Sequence, residues 1–127
     1  MSEPVELAFR EQLAARFAAE LGGRVYDLVN PPDAVLPLAT YRRVGSDRVT
    51  TAGRARIQVT IKGEQYAAVK RLQKAVEDYF GGFRGNWLGS ETCVWVHHIR
   101  TATLADTHQG ATRARVASSE FEIMYAG

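Results

Sequence analysis

Three histidines, one cysteine and a basic strand are the residues of this chain whose types and spacing could do chemistry. His97 and His98 are adjacent, so on a strand their side chains point to opposite faces and cannot close on one ion. His108 stands two residues after Asp106 in a stretch that reads as a turn. A metal centre needs three or four converging ligands, and the sequence holds no spaced Cys/His set. Cys93 and His97 share a strand face at i and i+4, but such a strand holds their backbones about 13 Å apart at about 3.3 Å per residue. A nucleophile needs its base in hydrogen-bond contact, so Cys93 reads as a structural thiol. G-x-S-x-G, P-loop and G-x-G-x-x-G patterns do not occur, and "GGFRG" (81–85) lacks the Lys-Ser/Thr ending that binds phosphate and magnesium. The carboxylate pairs Glu77-Asp78 and Glu120/Glu122 fall on faces that read as solvated. The expectation is a protein that is not an enzyme, with no cofactor and no metal.

The basic strand is the stronger signal. In "ARIQVTIK" (55–62) Ala55, Ile57, Val59 and Ile61 alternate with Arg56, Gln58, Thr60 and Lys62. The helix after Gly63 carries Lys70, Arg71 and Lys74 on its polar side. Net charge is +2 over 127 residues, but it is segregated. Residues 1–41 hold three arginines against six carboxylates, residues 42–74 nine cations against Asp47 and Glu64, and residues 75–127 four cations against six carboxylates. A basic middle between acidic ends suits nucleic acid or self-association equally. Sheets that read RNA place aromatics among their basic residues. The outward side of 54–62 offers Gln58 and Thr60 instead, which leaves only non-sequence-specific contact open there.

The elements that must position these residues are legible from periodicity. Val5, Phe9, Leu13, Phe17 and Leu21 recur every fourth residue after a Ser2 cap and end at Gly22-Gly23, which predicts a helix over 4–21. Val25 to Val29 could make a short strand, broken by Asn30-Pro31-Pro32-Asp33. Leu36 to Val44 and Arg54 to Lys62 read as strands, joined by a polar loop over 45–53. A second helix runs from Glu64 to about Phe80, with Tyr66, Val69, Leu72, Val76 and Phe80 on one side. "GGFRGNWLGS" (81–90) closes it as a loop, in which Phe83, Trp87 and Leu88 are apolar enough to cover a core edge or meet a partner. A long hairpin follows, Thr92 to Thr103 and Thr112 to Tyr125, with a polar connection over 101–111. Cys93, Trp95 and Ile99 lie on one side of its first strand and Val94 and Val96 on the other, so periodicity leaves the register open. Apolar residues on both faces suggest that a neighbouring subunit covers the second. The fold class expected is α+β: an antiparallel sheet of about four strands, two helices on one face, and a long C-terminal β-hairpin, all in one domain over 1–127. With one cysteine there is no internal disulfide, and neither a signal-peptide pattern nor an apolar run of about 20 residues is present. A soluble intracellular product with no membrane partner is expected.

The chain resembles the tail terminator (tail completion, head–tail joining) proteins of long-tailed bacteriophages and gene transfer agents. The pieces that carry the resemblance are "GGRVYDLV" (22–29), "LPLATYRRVG" (36–45), "RIQVTIKGEQYAAVKRLQKAV" (56–76) and the closing "FEIMY" (121–125). They are patterns of residue type over nearly the whole chain. The 45–53 loop, "GSDRVTTAG", differs freely among such proteins. The resemblance implies a structural virion protein at the tail–head junction, assembled in the host cytoplasm. Six subunits would form a ring that caps the tail tube, ends its polymerisation and joins the head connector or head-closure protein. DNA would only pass through the lumen. The alternatives are a small nucleic-acid-binding module and a head-closure or neck protein of similar build. Candidate contacts to subunit, tail or head are Arg42, Arg43, Asp47, Arg48, Arg54 and Arg56 in the basic middle. In the hairpin they are Asp106, His108, Arg113 and Arg115.

Overall fold

The computed structural model describes residues 5–27, 29–31, 34–49, 52–86, 93–109 and 112–126; the side chains of 46–49, 52, 86, 93, 109 and 126 are outside that description. The chain folds in the order α1 (Val5–Arg16), α2 (Ala18–Leu21), β1 (Val25–Asp27), β2 (Leu38–Val49), β3 (Ala52–Gly63), α3 (Tyr66–Phe80), β4 (Arg84–Asn86), β5 (Cys93–Gln109) and β6 (Thr112–Ala126).

The N-terminal apolar stripe is buried along its whole length, from Val5 through Phe9, Leu13 and Phe17 to Leu21. It lies on two helices, not one, because Phe17 leaves helical geometry at φ −112°, ψ 32°. The single turn of α2 then ends on Gly22 at φ 56°, whose N–H reaches the Ala18 carbonyl at 2.8 Å. That left-handed position suits a residue with no Cβ. Helix α3 buries Val69, Leu72, Val76 and Phe80, whereas Tyr66, expected on the same side, is 54% exposed at the first turn.

All six strands form one sheet in the order β1-β2-β3-β6-β5-β4. Strand β1 pairs parallel with β2, and the other neighbours pair antiparallel. The result is a mixed six-stranded sheet curled into a half-barrel with three helices. This overturns the expected antiparallel sheet of about four strands with two helices. The differences share one physical cause, shortness. Strand β4, read as loop, spans three residues, α2, read as the end of one helix over 4–21, spans four, and β1, read as a possible short strand over 25–29, spans three, too few to display a period. Strand β4 also lies in the glycine-rich segment read as loop, with Gly82 at φ 82° and Gly85 at φ 134°, and takes its ladder from β5.

The two polar segments expected as loops are largely strand as well. Strands β2 and β3 stay paired out to Val49↔Ala52, and the β3 end is in turn paired with β6 at Ala52↔Ala126. Strand β5 runs through Gln109, absorbing most of 101–111. Ladder hydrogen bonds rather than side-chain pattern decide these residues, since both tips have one partner strand or more to satisfy them.

The core sits between the helices and one face of the sheet. Ile57, Val59 and Ile61 of β3, Phe121 and Ile123 of β6, and Val94 and Val96 of β5 are buried there. At its centre Phe9 stacks on Phe80 at 4.5 Å between centroids, with Phe121 at 5.7 Å from Phe80. Phe83 packs at the edge of this cluster; Trp87 and Leu88 are outside the described residues. Burying each such aromatic contributes on the order of 2 kcal/mol. Gln73, buried on α3, donates to the Ser118 carbonyl at 2.8 Å and the Ala102 carbonyl at 3.3 Å, and so pins the helix to β6 and β5.

Candidate interaction surface

The polar groups under α3 come closest to an arrangement with catalytic residue types. Glu77 accepts from the Ser119 hydroxyl at 2.6 Å and the Thr101 hydroxyl at 2.6 Å, and lies 3.2 Å from His98 Nε2. Nucleophilic catalysis places the imidazole between hydroxyl and acid. Here the same nitrogen, His98 Nε2, meets both the Glu77 carboxylate and the Thr101 hydroxyl at 2.9 Å, and Ser119 is buried against the helix, so the group ties α3 to β5 and β6. Elsewhere on the helix side, burial pushes the Tyr41 phenol above its ordinary value, and the Asp27 carboxylate adds to that rise. Among the described residues no group of three or more His, Cys, Asp or Glu could hold a metal ion. No helix among them is long and apolar enough to cross a membrane.

The ten residues expected as contacts separate into four places. Arg43 is on the helix side, paired with Glu6 of α1 at 3.1 Å. Asp47 and Arg48 stand at the far end of β2, in register with Arg54 and Gly53; their side chains are outside the description. Arg42, Arg54 and Arg56 lie on the helix-free face. Arg42 donates through Nε to Gln58 at 2.9 Å across the ladder. Arg54 lies 3.9 Å from Glu122 on β6, a loose pair. Arg56 spreads over Gly45, where an added Cβ would come within 2.7 Å of its guanidinium. Gly45 also sits at the β2 bulge, so a residue with no side chain lets the arginine cross.

The remaining four form the tip of the β5–β6 hairpin. The ladder slips between Leu104 and Thr107, and Asp106 in this bulge accepts from Arg113 at 2.8 Å and Arg115 at 2.6 Å. His108, exposed, faces Arg113 across the ladder. Pairing with β3 ends at Gly63↔Arg115, so the tip reaches past the sheet with its own ion pairs holding the bulge.

The helix-free face also holds residues that sequence reasoning did not select as contacts. On β5, Trp95 is 40% exposed and contacts His97 at 4.6 Å between rings, while the Arg84 guanidinium of β4 lies 4.5 Å over the indole. Trp95 is in register with Met124, opposite Arg54, and His97 with Glu122, opposite Arg56. Their alternation with buried Val94 and Val96 would have placed them on this face once β5 was registered against β6. A second bulge between His98 and Arg100 leaves Ile99 44% exposed. Apolar side chains on this face are thus partly open to solvent. A depression of about 360 Å³ nearer the hairpin tip is lined by Thr40, Arg42, Thr60, Lys62, Leu104 and Val116 among others. On the helix side an apolar groove of about 570 Å³ runs between Phe17, Pro37, Val69 and Leu72.

No protein-family model matches the chain, and no curated protein matches it. Solved structures do. A chain from the virion of a native gene transfer agent particle superposes with a TM-score of 0.62 at 19% identity, covering 94% of this chain and 92% of that one. A second solved chain, whose name carries no functional word, reaches 0.57 at 13% identity with the same coverage. At such identities the likeness establishes a shared fold, end to end.

Proposed function

We propose that this chain is a structural subunit of a phage-like particle. In this reading it assembles with copies of itself into a ring, hexameric by resemblance, at the tail–head junction. The ring caps the tail tube, stops its polymerisation and joins the head connector. The observation that carries the reading is the end-to-end match to a chain of a gene transfer agent virion, which agrees with the family that the sequence patterns resemble. The proposed contacts to neighbours are at the two hairpin ends: Asp47 and Arg48 at one, and Asp106, His108, Arg113 and Arg115 at the other.

The fold suits such a part. Strands β1 and β4 cover only Ala39–Tyr41 of β2 and Cys93–Trp95 of β5, so the rest of both long strands offers ladder edge to a neighbouring copy, and a long hairpin reaches past the sheet. The reading is tested by light scattering on the eluting protein, alone and with tail tubes. The expected particle has six times the 14.0 kDa chain mass, or forms when tubes are added. A monomer that ignores tail tubes would contradict it.

A further inference from the structure

We infer that the helix-free face of the sheet is a binding surface for single-stranded nucleic acid, with bases stacking on the Arg84–Trp95–His97 column and phosphates held by the flanking arginines. The 54–62 strand by itself lacks the aromatics that such a face requires. The strand order supplies them, bringing Trp95 and His97 of β5 onto the face that carries Arg54 and Arg56, with β6 between. The column is preformed: the guanidinium lies over the indole at 4.5 Å, and the imidazole contacts the indole at 4.6 Å, tilted by 47°. Arg84 and His97 are exposed at its ends, so a base can extend the stack from either one without rearranging the chain. Guanidinium planes and imidazoles both serve as such platforms.

The charge on this face favours a polyanion. Arg42, Arg54, Arg56, Lys62, Arg84 and Arg100 occupy it against Asp47, Glu120 and Glu122, by ladder position. Among the described residues the ion pair between these groups is long, 3.9 Å for Arg54 to Glu122. Arg54 Nε, moreover, is enclosed with no hydrogen-bond partner among the described residues, so the long pair with Glu122 leaves this nitrogen unsatisfied. An acidic protein segment would use the same cations but would gain little from an open aromatic column, which is why nucleic acid is the occupant favoured here. This assigns Arg54 and Arg56 to nucleic acid rather than to a neighbouring subunit. It goes beyond the ring reading, and the measurement uses the free chain, so either can fail without the other.

The test is fluorescence anisotropy of a labelled oligothymidylate titrated with the full chain over a range of salt. The logarithm of the association constant is expected to fall linearly with the logarithm of salt, by about 0.7 per phosphate neutralised. Replacing Arg54→Gln and Arg56→Gln together should lower that slope by about 1.4. Trp95→Ala should weaken binding about 10- to 100-fold with the slope unchanged, the range for losing one base stack, and Trp95→Phe should restore most of it. If Trp95→Ala fails to fold by circular dichroism, His97→Ala at the open end of the column gives the same readout. Three results would each overturn the inference: no binding at low salt, duplex of the same length bound as tightly, or polyglutamate displacing the oligonucleotide at equal charge concentration. Binding indifferent to Trp95→Ala or to His97→Ala would do so too.

Discussion

Gln73 and Glu77 show how single side chains decide this fold. Both are polar residues on α3, four apart, facing the sheet where the helix pattern alone would call for apolar ones. Gln73 satisfies two carbonyls beside the β5–β6 ladder, and Glu77 collects two hydroxyls and an imidazole. Neither role is visible from periodicity, because the partners lie on strands about 25 to 45 residues away. Glu77→Leu should cost about 1–3 kcal/mol in a denaturant titration, mainly by leaving the buried Ser119 hydroxyl without an acceptor. Glu77→Gln, which keeps one, should cost less. Leu13, by contrast, was legible: the four-residue stripe alone assigns it to the core, and it is fully buried. Leu13→Ala should cost about 2–5 kcal/mol, read as a lower denaturation midpoint at unchanged slope. A loss under 1 kcal/mol would mean the α1 face does not pack as described.

At the scale of elements, what the sequence displayed was what has a period. The strand over 54–62, the helix into Phe80 and the strand ending in Tyr125 each bury alternate or every third-to-fourth residues, so composition shows them. Strands β1 and β4 form because β2 and β5 offer an edge, and Arg24 helps at the first of these: it reaches the Pro37 carbonyl at 2.8 Å, just before β2 begins. The hairpin tip is similar, being polar by composition and strand by pairing. Its register shift is held by Asp106 between two arginines, partly exposed groups whose pairing contributes well under 1 kcal/mol each after screening. Replacing His108–Arg113 with an Asn-Gly turn would close the hairpin on the Thr107↔Ala114 pair in a two-residue loop of favoured type. The shortened chain should fold with an unchanged thermal midpoint within about 4 °C, since little buried area is lost. On the proposed reading it should also yield tails of uncontrolled length or tails that fail to join heads. Infectious particles at the parent's titre would contradict the role given to the tip.

The whole molecule is a curled sheet with helices filling one side and a cationic, partly apolar face left open on the other. Charge segregation along the sequence foreshadowed that asymmetry but did not say which face would carry it, because the face depends on the β3–β6–β5 order. The second apolar face expected from β5 is real in Trp95 and Ile99 and stands open in the single chain. The end-to-end likeness to a virion chain shows a shared fold, and in the proposed ring the projecting hairpin and the open edges of β2 and β5 would meet neighbouring subunits. Electron microscopy of tail tubes polymerised in the presence of the purified chain tests this most directly. The account predicts a single ring of this subunit at one end of each tube and elongation that stops when the ring is present. Tubes that keep growing, or protein scattered along their sides with no ring at the end, would contradict it.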